Sequence, residues 1–244
     1  MELWYGGFWP MWWRTLILAP VLVTQAVIVM LRASRLPEAA GPRSGTTGQG
    51  PELRLLVLGD SSAAGVGVSH QDAALAGRLC ATLGQRYRVS WRVIASSGAT
   101  VSGTLATLEK TAPQEFDLIV VALGVNDAKN GVSFASWRLR YATLLDVLDA
   151  KFAPDCICVS GVPPLQNFPL LPAPLGTVIG ARATRFDAYL AELCAAREGV
   201  YHLPFDTVPT IDDLAADGFH PNARVYAEWA DRVIARAWDI TEAE

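Results

Sequence analysis

The chain has only three histidines to offer as a general base, His70, His202 and His220. A hydrolase that works through an activated hydroxyl needs one imidazole and a carboxylate to orient it. His220 lies in Asp217-Gly218-Phe219-His220-Pro221-Asn222, where a carboxylate precedes the ring by three positions in a tight loop. One turn of chain can carry that carboxylate to Nδ1–H and leave Nε2 facing outward, and Pro221 fixes the start of the helix that follows. The alternative, in which Asp217 and His220 only cap that helix, stays open. His70 has no acid three positions before it, and His202 ends a short apolar run where it can face the core. The hydroxyl candidate is Ser61, in Gly59-Asp60-Ser61-Ser62-Ala63-Ala64-Gly65. A serine there can sit near a helix N-terminus with backbone N–H groups facing the reacting oxygen; a plain turn with a helix cap is the other reading. No Gly-Lys-Ser/Thr follows, so the loop is not a phosphate-binding P-loop. Ala63 stands where a G-x-S-x-G elbow needs glycine.

An oxyanion needs donors. Gly98 can offer a backbone N–H with no side chain in the way, and Asn126 a side-chain amide. Each such donor typically stabilises the transition state by about 3 kcal/mol. Asp60 and Asp127 flank these residues, and their expected role is hydrogen bonding within their loops rather than proton transfer.

These residues need a scaffold. Strands are expected at Leu53–Leu58, Val89–Ala95, Leu118–Leu123, Cys156–Val162 and Val200–Leu203, with helices near Ala73–Leu83, Ser102–Lys110, Phe134–Phe152, Arg182–Arg197 and Ala223–Trp238. Near-continuous apolar strands imply burial on both faces. Their alternation with helices implies βαβ units. The expected fold is therefore α/β: a three-layer α/β/α, doubly wound, flavodoxin-like domain with a parallel five-stranded sheet, preceded by an N-terminal hydrophobic helix. In such a fold the active site lies beyond the carboxyl ends of the strands. GDSSAAG, SSGAT and GVNDAKNG each follow a strand, and DGFHPN precedes the last helix.

In this combination the chain resembles the SGNH, or GDSL, hydrolases. Gly59-Asp60-Ser61 resembles the nucleophile block, with Ser62 where many members carry Leu. Gly98 matches the second block, Gly124-Val125-Asn126-Asp127 the G-x-N-D block, and Asp217-Gly218-Phe219-His220 the D-x-x-H block. The resemblance spans about Leu53 to Trp238. It implies Ser61 as nucleophile, His220 as base and Asp217 as its orienter, with an oxyanion hole from the N–H groups of Ser61 and Gly98 and the Asn126 side chain. No metal or cofactor is implied. The expected reaction is hydrolysis of a small-molecule or lipid ester. Rivals are deacetylation of a carbohydrate or acyl transfer on the same fold, and an inactive membrane-tethered binding module.

Composition narrows the partners. A net charge of −4 with no basic stripe speaks against nucleic acid. None of the four cysteines forms CxxC or a zinc spacing; they read as buried thiols. The hydrophobic content of 51% is high for a soluble protein, and the excess sits largely in the first 31 residues. Trp4, Trp9, Trp12 and Trp13 cluster there, and Thr15 to Leu31 carries no charge, which reads as a membrane anchor over residues 1–33, as a single span or an interfacial helix. A cleaved signal peptide, with only Glu2 and Arg14 as charges at its start, and a buried core helix are the alternatives. Arg32, Arg35 and Arg43 after the span favour a cytoplasmic domain. Residues 34–52 read as a flexible linker, and 53–240 as the hydrolase domain. The proline-broken loop from Pro163 to Leu175 can line an acyl pocket or simply pack on the surface.

Overall fold

The computed structural model describes residues 12–32, 36–205 and 209–241. Their centre is a six-stranded sheet: β1 (Ser44–Thr47), β2 (Glu52–Gly59), β3 (Arg88–Ala95), β4 (Leu118–Ala122), β5 (Cys156–Ser160) and β6 (Val200–Leu203), in the order β1-β3-β2-β4-β5-β6. Strands β2 to β6 are parallel. β1 pairs antiparallel with β3, so the sheet is mixed.

Side-chain alternation explains the three layers. Leu56, Leu58, Ile119, Val121, Ile157 and Val159 point to one face, into a core completed by α3 (Val101–Lys110), α5 (Phe134–Phe152) and α6 (Leu175–Ala195). Leu55, Val57, Val120, Cys156 and Cys158 point to the other, covered by α2 (Leu75–Leu83) and α7 (Ala223–Thr241). Every residue of β4 is buried. Burying a Val, Leu or Ile side chain contributes about 1.5–3 kcal/mol, so an apolar run of this kind is most stable with both faces covered. The four thiols are buried and free of disulfides, as expected for cysteines outside any CxxC or zinc spacing. Cys156 and Cys158 bring their sulfurs to 3.8 Å on one face of β5.

Two expectations about the start of the chain need correction. The region read as a flexible linker carries edge strand β1, and Glu38 and Arg43 are ion-paired with each other. All four residues of β1 are exposed, so the strand leaves no apolar alternation to read. That is why five parallel strands were expected and a mixed sheet of six is found. The expected membrane span is also overturned: among the described residues no helix is long and apolar enough to cross a membrane. The membrane localisation and the choice of face drawn from that span fall with it. The chain does form α1 (Trp12–Arg32), which contains Pro20. Its half-buried stripe of Ala19, Leu22, Gln25 and Val29 faces the domain, and Leu22 and Val29 pack against the core. Trp4 and Trp9 lie outside the described residues.

The chain crosses from β2 to β3 on one side of the sheet and then to β4 on the other. The crevice beyond the carboxyl ends of β2 and β4 is the switch point where ligands bind in open α/β sheets.

Candidate active site

The turn that holds Ser61 starts at Gly59, where the last residue of β2 packs against β4. A Cβ there would stand 2.4 Å from the Ala122 carbonyl oxygen and 2.7 Å from Ala63 Cβ, so no larger residue fits. The chain then makes successive turns closed by Ala64 N–H to Asp60 O (3.0 Å), Gly65 N–H to Ser62 O (3.1 Å) and Val66 N–H to Ser61 O (2.9 Å). Here the structure departs from the sequence reading. Ser61 is not at a helix N-terminus; residues 61–67 remain in turns and α2 begins only at Leu75. Gly65 and Gly67, at φ +82° and +107°, bend the chain out of helical geometry. Gly67 also lets the turn approach the loop of His220: a Cβ there would lie 2.2 Å from the Pro221 carbonyl oxygen.

That contact draws the two ends of the domain together. His220 Nε2 lies 2.8 Å from Ser61 Oγ, across 159 positions of sequence. On its other side His220 Nδ1 lies 2.5 Å from Asp217 Oδ2. The second oxygen, Oδ1, accepts the backbone N–H groups of Phe219 and His220, both at 3.0 Å. Asp217 is thus held by its own loop rather than capping α7. Burial pushes its pKa up, but the bonds from the His220 ring and the two N–H groups outweigh that and hold it below the ordinary carboxylate range.

The oxyanion candidates come from the segments that follow β3 and β4. Gly98 has φ +81°, and a Cβ there would touch nothing within 4 Å, so its backbone is open to approach. The loop that carries it is fixed by Glu38, whose Oε1 accepts Ser97 N–H at 2.6 Å. Asn126 lies in the short α4 (Val125–Lys129) after β4. Its amide donates to Ala99 O at 3.0 Å and to Asp60 Oδ2 at 3.3 Å. Asp60 is buried, and its Oδ1 accepts from the Ser62 N–H (3.0 Å) and hydroxyl (2.8 Å). Burial raises its pKa, opposed chiefly by those bonds. Ser62, the departure from the family's Leu, therefore serves Asp60. Asp127 accepts Val101 N–H at 3.1 Å and anchors α3 to the site; burial pushes it up to about 6. Asp60 thus bonds within its own turn, as expected, whereas the Asp127 bond reaches out of its loop to α3.

The remaining histidines lie elsewhere. His70 Nδ1 accepts Asp72 N–H at 3.4 Å on the surface. His202 Nε2 meets Asp187 Oδ1 at 2.8 Å. One contributor left no sequence signal. The Tyr226 hydroxyl, on α7, lies 2.9 Å from Ser62 O and 2.7 Å from Val66 O, where it can donate to either and pin the turn after Ser61. Nothing in the sequence sets it apart from the other apolar-face residues of that helix.

Ser61 and His220 open onto a cavity of about 950 Å³, its solvent-open mouth included, walled by Leu123, Leu165, Phe168, Phe219 and Trp229. Of the apolar residues in the loop between β5 and α6, Pro163, Leu165 and Phe168 line this cavity; Leu165 and Phe168 also belong to the core in which Leu171 and Leu175 are buried. Among the described residues no cluster of His, Cys, Asp and Glu could hold a metal ion.

The sequence model of the GDSL-like Lipase/Acylhydrolase family matches residues 57–228. The chain belongs to that family. This hydrolase shares its fold with solved structures of low sequence identity. TesA superposes at a TM-score of 0.59, with 23% identity over 75% of this chain and 96% of that one. The psychrotrophic esterase EstA from Pseudoalteromonas sp. gives 0.56, with 19% identity over 78% and 98%. A family two carbohydrate esterase from Clostridium thermocellum gives 0.58, with 17% identity over 83% of this chain and 67% of its own. None of the curated proteins is similar enough in sequence to count as a relative.

Proposed function

We propose that this hydrolase cleaves carboxylic esters by two-step acyl transfer. The observation that carries the reading is the chain of contacts from Ser61 Oγ to His220 Nε2 at 2.8 Å, and from His220 Nδ1 to Asp217 at 2.5 Å. In the first step Ser61 Oγ attacks the carbonyl carbon while Nε2 takes the hydroxyl proton. Asp217 holds the ring in place and offsets the charge it gains. The carbonyl oxygen becomes the oxyanion, facing the N–H groups of Ser61 and Gly98 and the Asn126 amide. Of the two amide bonds Asn126 makes, the one to Asp60 is the longer and is the one exchanged for the oxyanion. His220 then returns its proton to the leaving alcohol as the carbon–oxygen bond breaks. Water, deprotonated by the same ring, releases the acid and restores Ser61. The reaction needs no oxidant or metal.

The mostly apolar cavity beside Ser61 supports an acyl chain, rather than a bare acetyl group, as the part of the substrate that is recognised. The test is hydrolysis of p-nitrophenyl esters of increasing acyl length, together with labelling by a fluorophosphonate. Ser61→Ala should lose label and lower kcat at least about a thousandfold. Full turnover by that variant would end the proposal. Faster deacetylation of a glycan than of any alkyl ester would replace the acyl-ester reading with a carbohydrate one.

A further inference from the structure

Helix α1 lies outside the stretch shared with the family, residues 57–228, yet it is bonded to the end of a loop whose earlier residues, Pro163, Leu165 and Phe168, wall the cavity. The loop between β5 and α6 contains five prolines, at 163, 164, 169, 172 and 174. Each removes a backbone donor, so the loop has few N–H groups with which to order itself. Its last residues reach α6 through Pro174, which offers the helix no side-chain cap. Gln25 of α1 supplies what is missing. Its Nε2 donates to Ala173 O at 2.7 Å, and its Oε1 accepts Leu175 N–H at 3.0 Å. The second bond satisfies one of the N–H groups that every helix start leaves without an internal partner.

The far end of the same loop touches the site. Leu171 N–H donates to Phe168 O at 3.0 Å. Phe168 lines the cavity and packs on Phe219 with ring centroids 5.3 Å apart. Phe219 in turn meets the His220 ring at 5.3 Å. A short run of residues therefore joins Gln25 to the part of the cavity that an acyl chain would occupy. Gln25 is the one polar member of the half-buried stripe of α1. Leu22 and Val29, packed on the core, hold the helix in place independently of it.

We infer that Gln25 is a positioning residue that sets which acyl chains the hydrolase accepts, by clamping, at Ala173 and Leu175, the loop that carries Leu165 and Phe168 into the cavity wall; this rests on the ester-hydrolysis reading above. A clamped wall presents Phe168 and Leu165 in one place to a long chain. An acetyl group, lodged at Ser61 itself, does not reach them.

The test compares p-nitrophenyl decanoate with p-nitrophenyl acetate in the full chain, well below the thermal midpoint of each variant. Gln25→Leu keeps the apolar packing and removes both bonds. It should lower kcat/KM for decanoate at least tenfold and leave acetate within twofold. Gln25→Glu keeps the acceptor for Leu175 N–H and loses the donor to Ala173, and should fall between. Thr24→Val, on the exposed face, should match the unmodified chain. A merely structural role would lower the thermal midpoint of Gln25→Leu without moving the decanoate-to-acetate ratio, and an unchanged ratio would overturn the inference while esterase activity stands. Should Gln25→Leu fail to fold, the ratio in Gln25→Glu decides. An unmodified chain that takes the fluorophosphonate label but turns over neither ester would instead sink the ester reading, and the inference with it.

Discussion

Of the three histidine–aspartate contacts among the described residues, that between His70 and Asp72 lies at the surface; of the other two, only one can drive the proposed reaction. In the first, Asp217 and His220 share one loop; the carboxylate takes Nδ1, and Nε2 is left to face the Ser61 hydroxyl. In the second, Asp187 comes from α6 and His202 from β6, and the carboxylate takes Nε2 at 2.8 Å. The same Asp187 oxygen accepts Val162 N–H at 2.9 Å. Gly161 lies so close that a Cβ there would stand 2.5 Å from that oxygen and 3.0 Å from Nε2. The second pair is a tie between a helix, a strand and a loop. A carboxylate beside an imidazole is therefore not chemistry in itself. What decides is which nitrogen the carboxylate occupies and what the other one meets.

Breaking each pair should separate the roles. The largest effect is expected from Asp217→Asn, which removes the charge that holds and balances the ring. It should lower kcat by about a thousandfold or more with little change in KM, measured on any ester the parent cleaves. A loss of less than tenfold would erase the distinction drawn here. Asp187→Asn should act in the opposite sense. It should lower the stability to urea by about 1 kcal/mol through weakened, part-buried hydrogen bonds, and keep kcat within about tenfold. A collapse of kcat without loss of stability would place the second pair in the reaction.

The smallest effect concerns acid. Asp217 has a folded-state pKa below its ordinary value. Its contribution to stability is then present above the unfolded value, near 4, and lost as pH falls through the folded value. The stability gap between the parent and Asp217→Asn should narrow as urea unfolding is followed from pH 6 down to pH 3. A gap that widens on acidification would mean that the carboxylate is not held ionised by its loop.

Much of the site is legible in the sequence because its parts are local. Asp217 and His220 announce themselves at a spacing of three, and Ser61, Gly98 and Asn126 each stand just beyond an apolar strand. β4, β5 and the second half of β2 are legible for the same reason, since burial on both faces leaves continuous apolar runs, whereas β3 and β6 are only partly buried and show themselves by their β-branched and aromatic residues. What escaped depends on partners distant in the chain. Tyr226 reaches the Ser62 carbonyl across 164 positions, and Gln25 reaches Ala173 across 148; such bonds leave no period. Helix α6 begins at Leu175, well before the expected Arg182, because the prolines before it mask its first turns. The tryptophans and apolar run at the start suggested a membrane span, whereas the described stripe of α1 is spent on the protein's own domain.

Strand β1 has a consequence of another kind. β3 flanks β2, and without its antiparallel neighbour it would present a row of open amides and carbonyls along the border of the sheet. Such a border invites pairing with strands of other molecules and is a route to aggregation. Four exposed residues, Ser44 to Thr47, too polar to join any core, occupy that border and move the outermost rank to a short segment rich in small residues. The least hydrophobic strand of the protein thereby works as its guard against self-association.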